Sequence, residues 1–490
     1  MLFNSIEFII FFVVVLTIIS IIKYRKFQHL FIVFSSYFFF YFSSNYLLSL
    51  LIFSTLLDYY IAKWIWHTKD QKKKKILLIS SLAGNLGLLG FFKYADFAIT
   101  QFNILGNQIN VGGDIPFLEL VLPIGISFYT FQTISYTVDV YRGKLEPSKS
   151  LGEFALFVSF FPQLVAGPII RASEFLPQLR EKIQNNASSV RMKQIIIHNS
   201  NLKLGITIMA FGFLKKMFFA DNIAPLVNTI FSNPIGASSL EIWIGTIAFG
   251  IQIYGDFSGY SDIAIGAALI LGFKIPRNFN KPYFAISPSD FWRRWHISLS
   301  SWLRDYLYIP LGGNKKSSSR TYFNLFTVMF LGGLWHGASW NFVVWGMLHG
   351  GYLAIHRIIV NKFPTLSNNV FFKSKIGKIF SILITQYFVF LAWIPFRVQD
   401  TEEMFYSISK YVLFDFELDE LSHFVLSHKF PLFLMVCFVL FHIISYKKGN
   451  YVKQISNLSY RFWIPFLCLS VVLIMLFYDG NPEDFIYFRF

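Results

Sequence analysis

Long apolar stretches recur along the whole 490-residue chain and constrain its fold more than any other feature. With their flanks, most reach about 18 residues, enough for a helix to cross a hydrocarbon core of about 30 Å. Charged residues form only 14% of the chain, and the mean hydropathy is +0.51. We therefore expect an all-α, polytopic membrane protein with about 11 transmembrane helices plus re-entrant or interfacial helices. The apolar centres are 8–22, 76–92, 240–253, 322–335, 342–359, 379–393, 430–444 and 462–477.

The chain has a formal net charge of +16, and its lysines and arginines lie between the apolar stretches. The runs KYRK at 23–26 and KKKK at 72–75 are typical of cytoplasmic loops, because positive residues are retained on the inner side of the membrane. This places the N-terminus outside and requires the stretch 29–66 to cross twice. The sequence contains no basic face with interleaved aromatic residues outside the apolar stretches, so we expect membrane lipids as partners and no nucleic acid.

The two cysteines, Cys437 and Cys468, both lie inside apolar stretches and lack the spacing of metal ligands. We predict neither a disulfide framework nor a metal site.

The composition changes along the chain, although we expect one integral membrane domain over 1–490. Residues 1–115 are predicted to form peripheral helices. From 116 to 360, glycine, proline, histidine and carboxylates occur within apolar surroundings, which is tolerated only where protein or a watery cavity surrounds them. This part is the predicted catalytic core, and 361–490 are predicted to add C-terminal helices.

The run FWRRWHISLSSWLRDYLYIPLGGN at 291–314 combines an apolar stripe with polar groups. It predicts one amphipathic helix from Trp292, capped by Ser289 or Asp290 and ending before Gly312. The stripe consists of Trp292, Trp295, Leu299, Trp302 and Tyr306.

The polar groups of this run allow two interpretations. An interfacial helix would use Arg293 and Arg294 to hold lipid phosphates. Alternatively, Arg293, Arg294, Arg304 and Asp305 line a substrate passage. His296 is a candidate for proton transfer, although a lone histidine on such a helix is more often structural.

A second histidine, His336, follows about 13 mainly apolar residues in GGLWHGASW. An ionisable group at membrane depth is a candidate functional residue by default. The glycines around it, among them Gly332 and Gly333, interrupt the apolar helix and permit close approach. Trp335 and Trp340 are predicted to wall a pocket beside His336.

Two carboxylates, Asp256 and Asp262, lie in YGDFSGYSD within another apolar stretch. A helix would place them on different faces, unless Gly259 breaks it. We expect them to anchor a passage through hydrogen bonds to Arg293, Arg294 or Arg304.

Taken together, these runs resemble the membrane-bound O-acyltransferase family, in its bacterial alginate O-acetyltransferase-like branch. The resemblance covers nearly the whole chain and rests on the two histidine segments and on LPIGISFYTFQTISYTVDVYRG, FPQLVAGPIIR, YGDFSGYSDIAIG and FIYFRF. It implies a ring of helices around a central funnel and tunnel, with His336 as the catalytic base and His296 as the family's second histidine.

The resemblance also implies the reaction. An acetyl group would pass from a cytoplasmic thioester, acetyl-coenzyme A, towards hydroxyls of a cell-surface polysaccharide, with no bound cofactor. Trp335, Asn341 or His296 would stabilise the oxyanion. An extracytoplasmic partner with an SGNH, serine-hydrolase-like domain would complete the transfer, and the location would be the bacterial cytoplasmic membrane.

Two alternatives remain open from the sequence. The transferred group is D-alanine, passed from a carrier protein to teichoic acid, or the chain is a non-enzymatic transporter of a lipid-linked sugar.

Overall fold

A computed structural model describes residues 1–22, 24–110, 114–164, 167–184, 199–367, 369–414, 421–478 and 485–488. All regular structure in these residues is helical, which confirms the predicted all-α class. The chain forms two compact units, Met1–Met209 with Ile263–Pro276, and Ala210–Asp262 with Arg277–Phe490. This grouping by contacts differs from the division at 115 and 360 expected from composition.

Unit one contains a succession of mainly long helices. The helices that begin in it are α1 Ile6–Ile21, α2 Arg25–Ser44, α3 Leu48–His67, α4 Gln71–Gln108, α5 Ile126–Tyr141, α6 Leu151–Ser159, α7 Phe161–Leu164, α8 Ala172–Gln184 and α9 Asn199–Phe213. The stretch expected to cross the membrane twice forms α2 and α3, each of 20 residues. They are separated at Asn45, whose φ of 49° no α-helix contains.

A carboxylate that the sequence pattern did not reveal, Asp58, ties three helices of unit one together. Its side chain on α3 is fully buried. Its oxygens accept hydrogen bonds from Thr137 of α5 at 2.6 Å, from Asn85 of α4 at 2.6 Å and from Ser81 of α4. Buried donors without an acceptor are costly, so this network joins α3, α4 and α5 in one arrangement.

Replacing Asp58 by alanine is therefore expected to destabilise the protein by about 3 kcal/mol, because three buried donors lose their acceptor. The comparison is Asp70→Ala. Asp70 caps α4 from an exposed position through the Lys72 N–H, so its loss is expected to cost about 1 kcal/mol. Thermal unfolding of the detergent-purified variants measures the difference, and equal shifts in Tm would contradict the structural role of Asp58.

Unit two contains the segments that the sequence analysis singled out. Its helices are α10 Asp221–Phe231, α11 Ser239–Ile270 (up to Asp262), α12 Pro288–Trp292, α13 Ile297–Leu303, α14 Ser318–His336, α15 Trp340–Lys362, α16 Pro364–Ser367, α17 Val370–Lys373, α18 Lys375–Arg397, α19 Thr401–Leu413, α20 Leu421–Ser427, α21 Lys429–Lys448, α22 Tyr451–Ser456 and α23 Tyr460–Leu476. Two π-helical segments, Leu214–Ala220 and Arg304–Tyr308, and 3₁₀ turns at Pro282–Phe284 and Ile486–Phe488 also lie in this unit.

Helices α14 and α15 pack backbone against backbone. A Cβ atom on Gly333 would lie 2.3 Å from the Phe342 carbonyl oxygen, and one on Gly346 would lie 2.6 Å from the Met329 carbonyl oxygen. Small residues at such contacts let two membrane helices approach closely. The sequence pattern had predicted that Gly332 and Gly333 interrupt this helix. They do not, and α14 continues to His336.

The described residues include five candidate membrane spans by length and apolar composition: Phe27–His67, Gln71–Gln108, Trp340–Lys362, Lys375–Arg397 and Lys429–Lys448. Two shorter apolar helices, Ile6–Ile21 and Tyr460–Leu476, accompany them. Large apolar side chains stay exposed on these helices, including Phe433 on α21 and Met475 on α23. Such surfaces are stable in hydrocarbon, and the chain is a multi-pass membrane protein.

Candidate active site

The run at 291–314 does not form the single amphipathic helix that its stripe predicted. Helix α12 is capped by Ser287, whose side chain accepts the Asp290 N–H, and not by Ser289 or Asp290. His296 adopts a left-handed backbone conformation with φ 42°, which ends the first segment before α13 begins. Non-glycine residues rarely take this conformation, so tertiary contacts must maintain it.

Those contacts come from the preceding loop. The Ile297 N–H donates to the Asn278 carbonyl at 2.9 Å, and the Ser298 hydroxyl donates to the Asn278 side chain at 2.6 Å. The Asn280 N–H donates to the Arg294 carbonyl at 2.9 Å. This bracing turns His296 inward, where its side chain is 1% exposed.

The expected pairing of Asp256 and Asp262 with the arginines of this run is wrong. Asp256 pairs with Lys216 at 2.9 Å, and Asp262 pairs with Lys215 at 2.6 Å. The arginines have neighbours of their own: Arg294 pairs with Asp290 at 2.9 Å and Arg304 with Asp305 at 2.7 Å. Arg293 is exposed.

The physical reason lies in α11, which continues through Gly259 instead of breaking there. Gly255 and Gly259 of α11 let the π-helical segment Leu214–Ala220 pack closely. Lys215 and Lys216 of that segment therefore pair with the two carboxylates. Asp262 takes no part in the histidine cluster described next.

His336 is the last residue of α14 and lies in a cluster of aromatic rings. The ring centroids of Trp335, Trp345, Phe396 and Tyr487 lie 4.7, 4.7, 5.0 and 5.5 Å from that of His336. The imidazole is buried, with 6% of the residue exposed. The cluster therefore fixes the ring in a water-poor environment.

The second predicted histidine belongs to the same cluster. The ring of His296 lies 6.3 Å from that of Trp335 and 4.7 Å from that of Phe257. Trp335 thus lies beside both histidines. Trp340, the other residue predicted to wall a pocket, is 54% exposed.

Asn341 has a different position from the one expected of an oxyanion donor. Its amide nitrogen donates to the carbonyl oxygens of Val398, Gln399 and Asp400 at 2.7, 3.0 and 3.3 Å. Its amide oxygen accepts from Thr401 at 3.2 Å. The side chain fixes the connection between α18 and α19 beside the cluster, and its donor is already used.

The C-terminal segment, Phe485–Phe488, is the part of the site that reasoning from individual residues missed. Phe485 and Ile486 are buried, and Tyr487 contacts His336, Phe257 and Phe396. The only signal in the sequence was an aromatic run, FIYFRF, after the polar stretch DGNPED. Periodicity does not reveal where so short a segment packs.

Two cavities of unit two have lining residues near the histidine cluster. The first, of about 440 Å³, lies along the beginning of α14; among its lining residues are Trp292, Arg304, Asn314, Thr321 and Arg357. The second, of about 280 Å³, has a polar lining that includes Gln252, Arg397, Gln399, Glu403 and Ile486.

Ring contacts connect His336 to the first cavity through two further residues. The ring of Trp345 lies 4.7 Å from those of both His336 and His349, and the His349 ring lies 5.0 Å from that of Trp292, which lines the cavity. On the other side, Phe396 contacts both His336 and Phe249, which lines the second cavity. His336 therefore lies within a few side chains of both cavities.

Comparison with known proteins assigns the chain to a family. The model of the membrane-bound O-acyltransferase family matches residues 145–392. The chain is 39% identical over 379 residues to a protein named "Peptidoglycan O-acetyltransferase" of Helicobacter pylori, covering 72% of this chain and 68% of that protein. It is 38% identical over 408 residues to "Probable alginate O-acetylase AlgI" of Pseudomonas aeruginosa, covering 82% and 73%.

A more distant relative is named "Teichoic acid D-alanyltransferase", of Bacillus subtilis, with 28% identity over 288 residues, 55% of this chain and 67% of that protein. The chain belongs to the membrane-bound O-acyltransferase family. It is an acyltransferase, which confirms the class predicted from the histidine segments.

Proposed function

We propose that this protein is a membrane O-acetyltransferase that moves an acetyl group from a cytoplasmic thioester, acetyl-coenzyme A, towards hydroxyls of a cell-surface polysaccharide or of peptidoglycan. The observation that carries the proposal is His336, a buried histidine at a helix end within a few side chains of two cavities. The acetyl group and the acceptor class are supported by the names of the relatives from H. pylori and P. aeruginosa.

His336 would act as the general base. A hydroxyl is a weak nucleophile at neutral pH, so its proton must be removed as the oxygen attacks the thioester carbonyl. The new C–O bond forms, the C–S bond breaks, and the proton held by the imidazole passes to the departing sulfur. Trp335 and His296, on the same cluster, are the candidates for stabilising the oxyanion. Asn341 is not among these candidates, because its amide nitrogen already donates to backbone carbonyl oxygens.

The donor would enter through the first cavity. This cavity lies beside the basic stretch that includes Lys315, Lys316 and Arg320, which the positive-inside rule places on the cytoplasmic side. Arg304 and Arg357 line it and would attract the phosphates of the donor. Within the described part of the chain, no carboxylate lies within ion-pair distance of Arg357.

The acceptor and the partner would approach from the opposite end of α14, where Asp400, Glu402 and Glu403 make the chain acidic. The second cavity lies at this end. We place it on the outer side of the bacterial cytoplasmic membrane, together with the N-terminus and an SGNH-type partner that completes the transfer to the polymer.

Replacing Arg357 by glutamine is expected to raise the KM for acetyl-coenzyme A several-fold and to change kcat little, because one cation near the donor's phosphates is lost. Arg320→Gln is the matched control, since Arg320 is exposed at the start of α14 and does not line the cavity. Steady-state kinetics with purified protein provides both constants. An unchanged KM for Arg357→Gln would remove this cavity as the donor site.

The proposed function is tested directly with the protein reconstituted in vesicles. Acetyl-coenzyme A carrying a labelled acetyl group is supplied with polysaccharide or peptidoglycan fragments and the partner, and labelled ester on the polymer is the expected product. D-alanyl carrier protein is offered in a parallel reaction. Transfer of D-alanine and not of acetyl would establish the alternative suggested by the B. subtilis relative, and polymer movement without consumption of a thioester would indicate a transporter.

A further inference from the structure

A group of three charges, two of them buried, lies in unit two beside the histidine cluster. The ammonium nitrogen of Lys216 lies 2.7 Å from an oxygen of Asp221 and 2.9 Å from an oxygen of Asp256. The side chains of Lys216 and Asp256 are 1% and 3% exposed. Charges removed from water in this way are retained only where close pairing holds them, so the three side chains have little freedom to move.

Local packing explains why Lys216 reaches Asp256. A Cβ atom on Gly259 of α11 would lie 2.7 Å from the Gly212 carbonyl oxygen and 3.0 Å from the backbone nitrogen of Lys216. One on Gly255, a turn earlier, would lie 3.0 Å from the Lys215 carbonyl oxygen. Only glycine lets the π-helical segment come this close, and the approach presses Lys216 onto α11.

The second oxygen of Asp256 has a different partner. It accepts the backbone N–H of Ile486 at 2.7 Å, a buried hydrogen bond between residues 230 positions apart. A carboxylate accepting a backbone N–H makes a stronger bond than a neutral acceptor does. One carboxylate therefore joins the buried lysine to the C-terminal segment.

The residues on either side of Ile486 show what this bond holds in place. The ring of Phe485 lies 4.4 Å from that of Tyr260, one turn along α11 from Asp256. The ring of Tyr487 lies 4.7 Å from that of Phe257 and 5.5 Å from that of His336. The C-terminal segment thus forms one side of the His336 cluster.

We propose that Asp256 is a positioning residue for acyl transfer: it holds the C-terminal segment by the backbone of Ile486, so that Tyr487 closes one side of the His336 cluster. The inference rests on the proposed role of His336. Because the bond is made to the backbone, it fixes the path of the segment whatever its side chains are. Lys216 and Asp221 keep the carboxylate oriented for that bond.

The first test measures attachment of the segment and does not depend on activity. The full chain, purified in detergent, is exposed to carboxypeptidase, and intact mass is followed over time. We expect digestion beyond Tyr487 to be at least tenfold faster in Asp256→Ala than in the native protein. Asp262→Ala is the matched control, because Asp262 is on the same helix and pairs with Lys215 but does not contact the segment. Equal digestion of Asp256→Ala and native protein would overturn the proposal.

The second test measures the consequence for catalysis. We expect Asp256→Ala to lower kcat at least tenfold with little change in the KM for the thioester. Asp256→Asn should recover part of that loss because it retains an oxygen acceptor. Asp262→Ala should have the kcat and KM of the native protein. In a chain lacking 485–490, Asp256→Ala should add no further loss. An additional tenfold loss in that chain would show that Asp256 acts independently of the segment and would overturn the proposal.

Ile486→Pro separates attachment from folding, since it removes the donated N–H and leaves the three charges intact. If Asp256→Ala does not fold, Ile486→Pro is expected to reproduce both the faster digestion and the lower kcat, and native behaviour of this variant would contradict the inference. If the native protein transfers no acyl group from any thioester, the proposed function fails, while the digestion result still decides whether Asp256 holds the segment.

Discussion

Replacement of His336 by alanine is expected to lower acyl transfer by about 10²–10⁴-fold, the range that a positioned general base supplies. The acceptor hydroxyl would then attack without a group to take its proton. We expect the loss in kcat and in kcat/KM to be similar, because in the proposed mechanism the imidazole acts in the transition state and does not bind the donor's phosphates. The measurement is labelled ester formed per purified protein.

His356→Ala serves as the control for this prediction. His356 lies on α15 and is half-buried, but none of the ring contacts of the cluster includes it. The alanine variants should insert, accumulate and melt like the native protein. If His336→Ala transferred acyl groups at the native rate, His336 would not be the base; if it failed to accumulate, the aromatic cluster would need the ring for packing, and His336→Gln would then be compared.

A combined loss of stability and activity is expected for Gly346→Val. The added side chain begins 2.6 Å from the Met329 carbonyl oxygen and 3.1 Å from the Phe330 Cα, so α14 and α15 must separate. Overpacking of this kind costs about 1–3 kcal/mol, and it displaces the end of α14 that carries His336. We expect both a lower Tm and a loss of activity of at least tenfold.

The same helix provides the comparison. A Cβ atom on Gly351 meets nothing within 4 Å, so Gly351→Val tests the effect of a β-branched residue in α15 without the backbone contact. This variant is expected to retain activity and to unfold near the native temperature. Equal damage from both substitutions would mean that helix propensity, and not the close approach of α14 and α15, explains the result.

Much of the fold could be predicted because helix formation in a membrane is governed by local composition. Apolar length located α15, α18 and α21. The stripe from Trp292 to Tyr306 was misleading for the same reason. Periodicity shows which residues share a helical face. It does not reveal a backbone conformation such as that of His296, which hydrogen bonds to the loop at Asn278 maintain.

The candidate site shows where prediction from neighbouring residues ends. His296 and His336 could be selected because an ionisable group among apolar residues is expensive wherever it lies. The partners of Asp256 could not be predicted, because an arginine and a lysine are equally suitable by charge. Close packing at Gly259 brings Lys216 to one oxygen of Asp256. The other oxygen accepts the backbone N–H of Ile486, 230 positions away.

Composition and apolar length were sufficient to predict that this chain is helical and spans the membrane several times, and the apolar surroundings of His336 made it a candidate functional residue. Hydrocarbon leaves a backbone no other way to satisfy its polar groups, and this rule acts on each segment separately. The positions of His296, Trp335 and the C-terminal segment around His336 could not be predicted, because side chains from distant segments meet through close packing, and close packing depends on shapes that no single segment encodes.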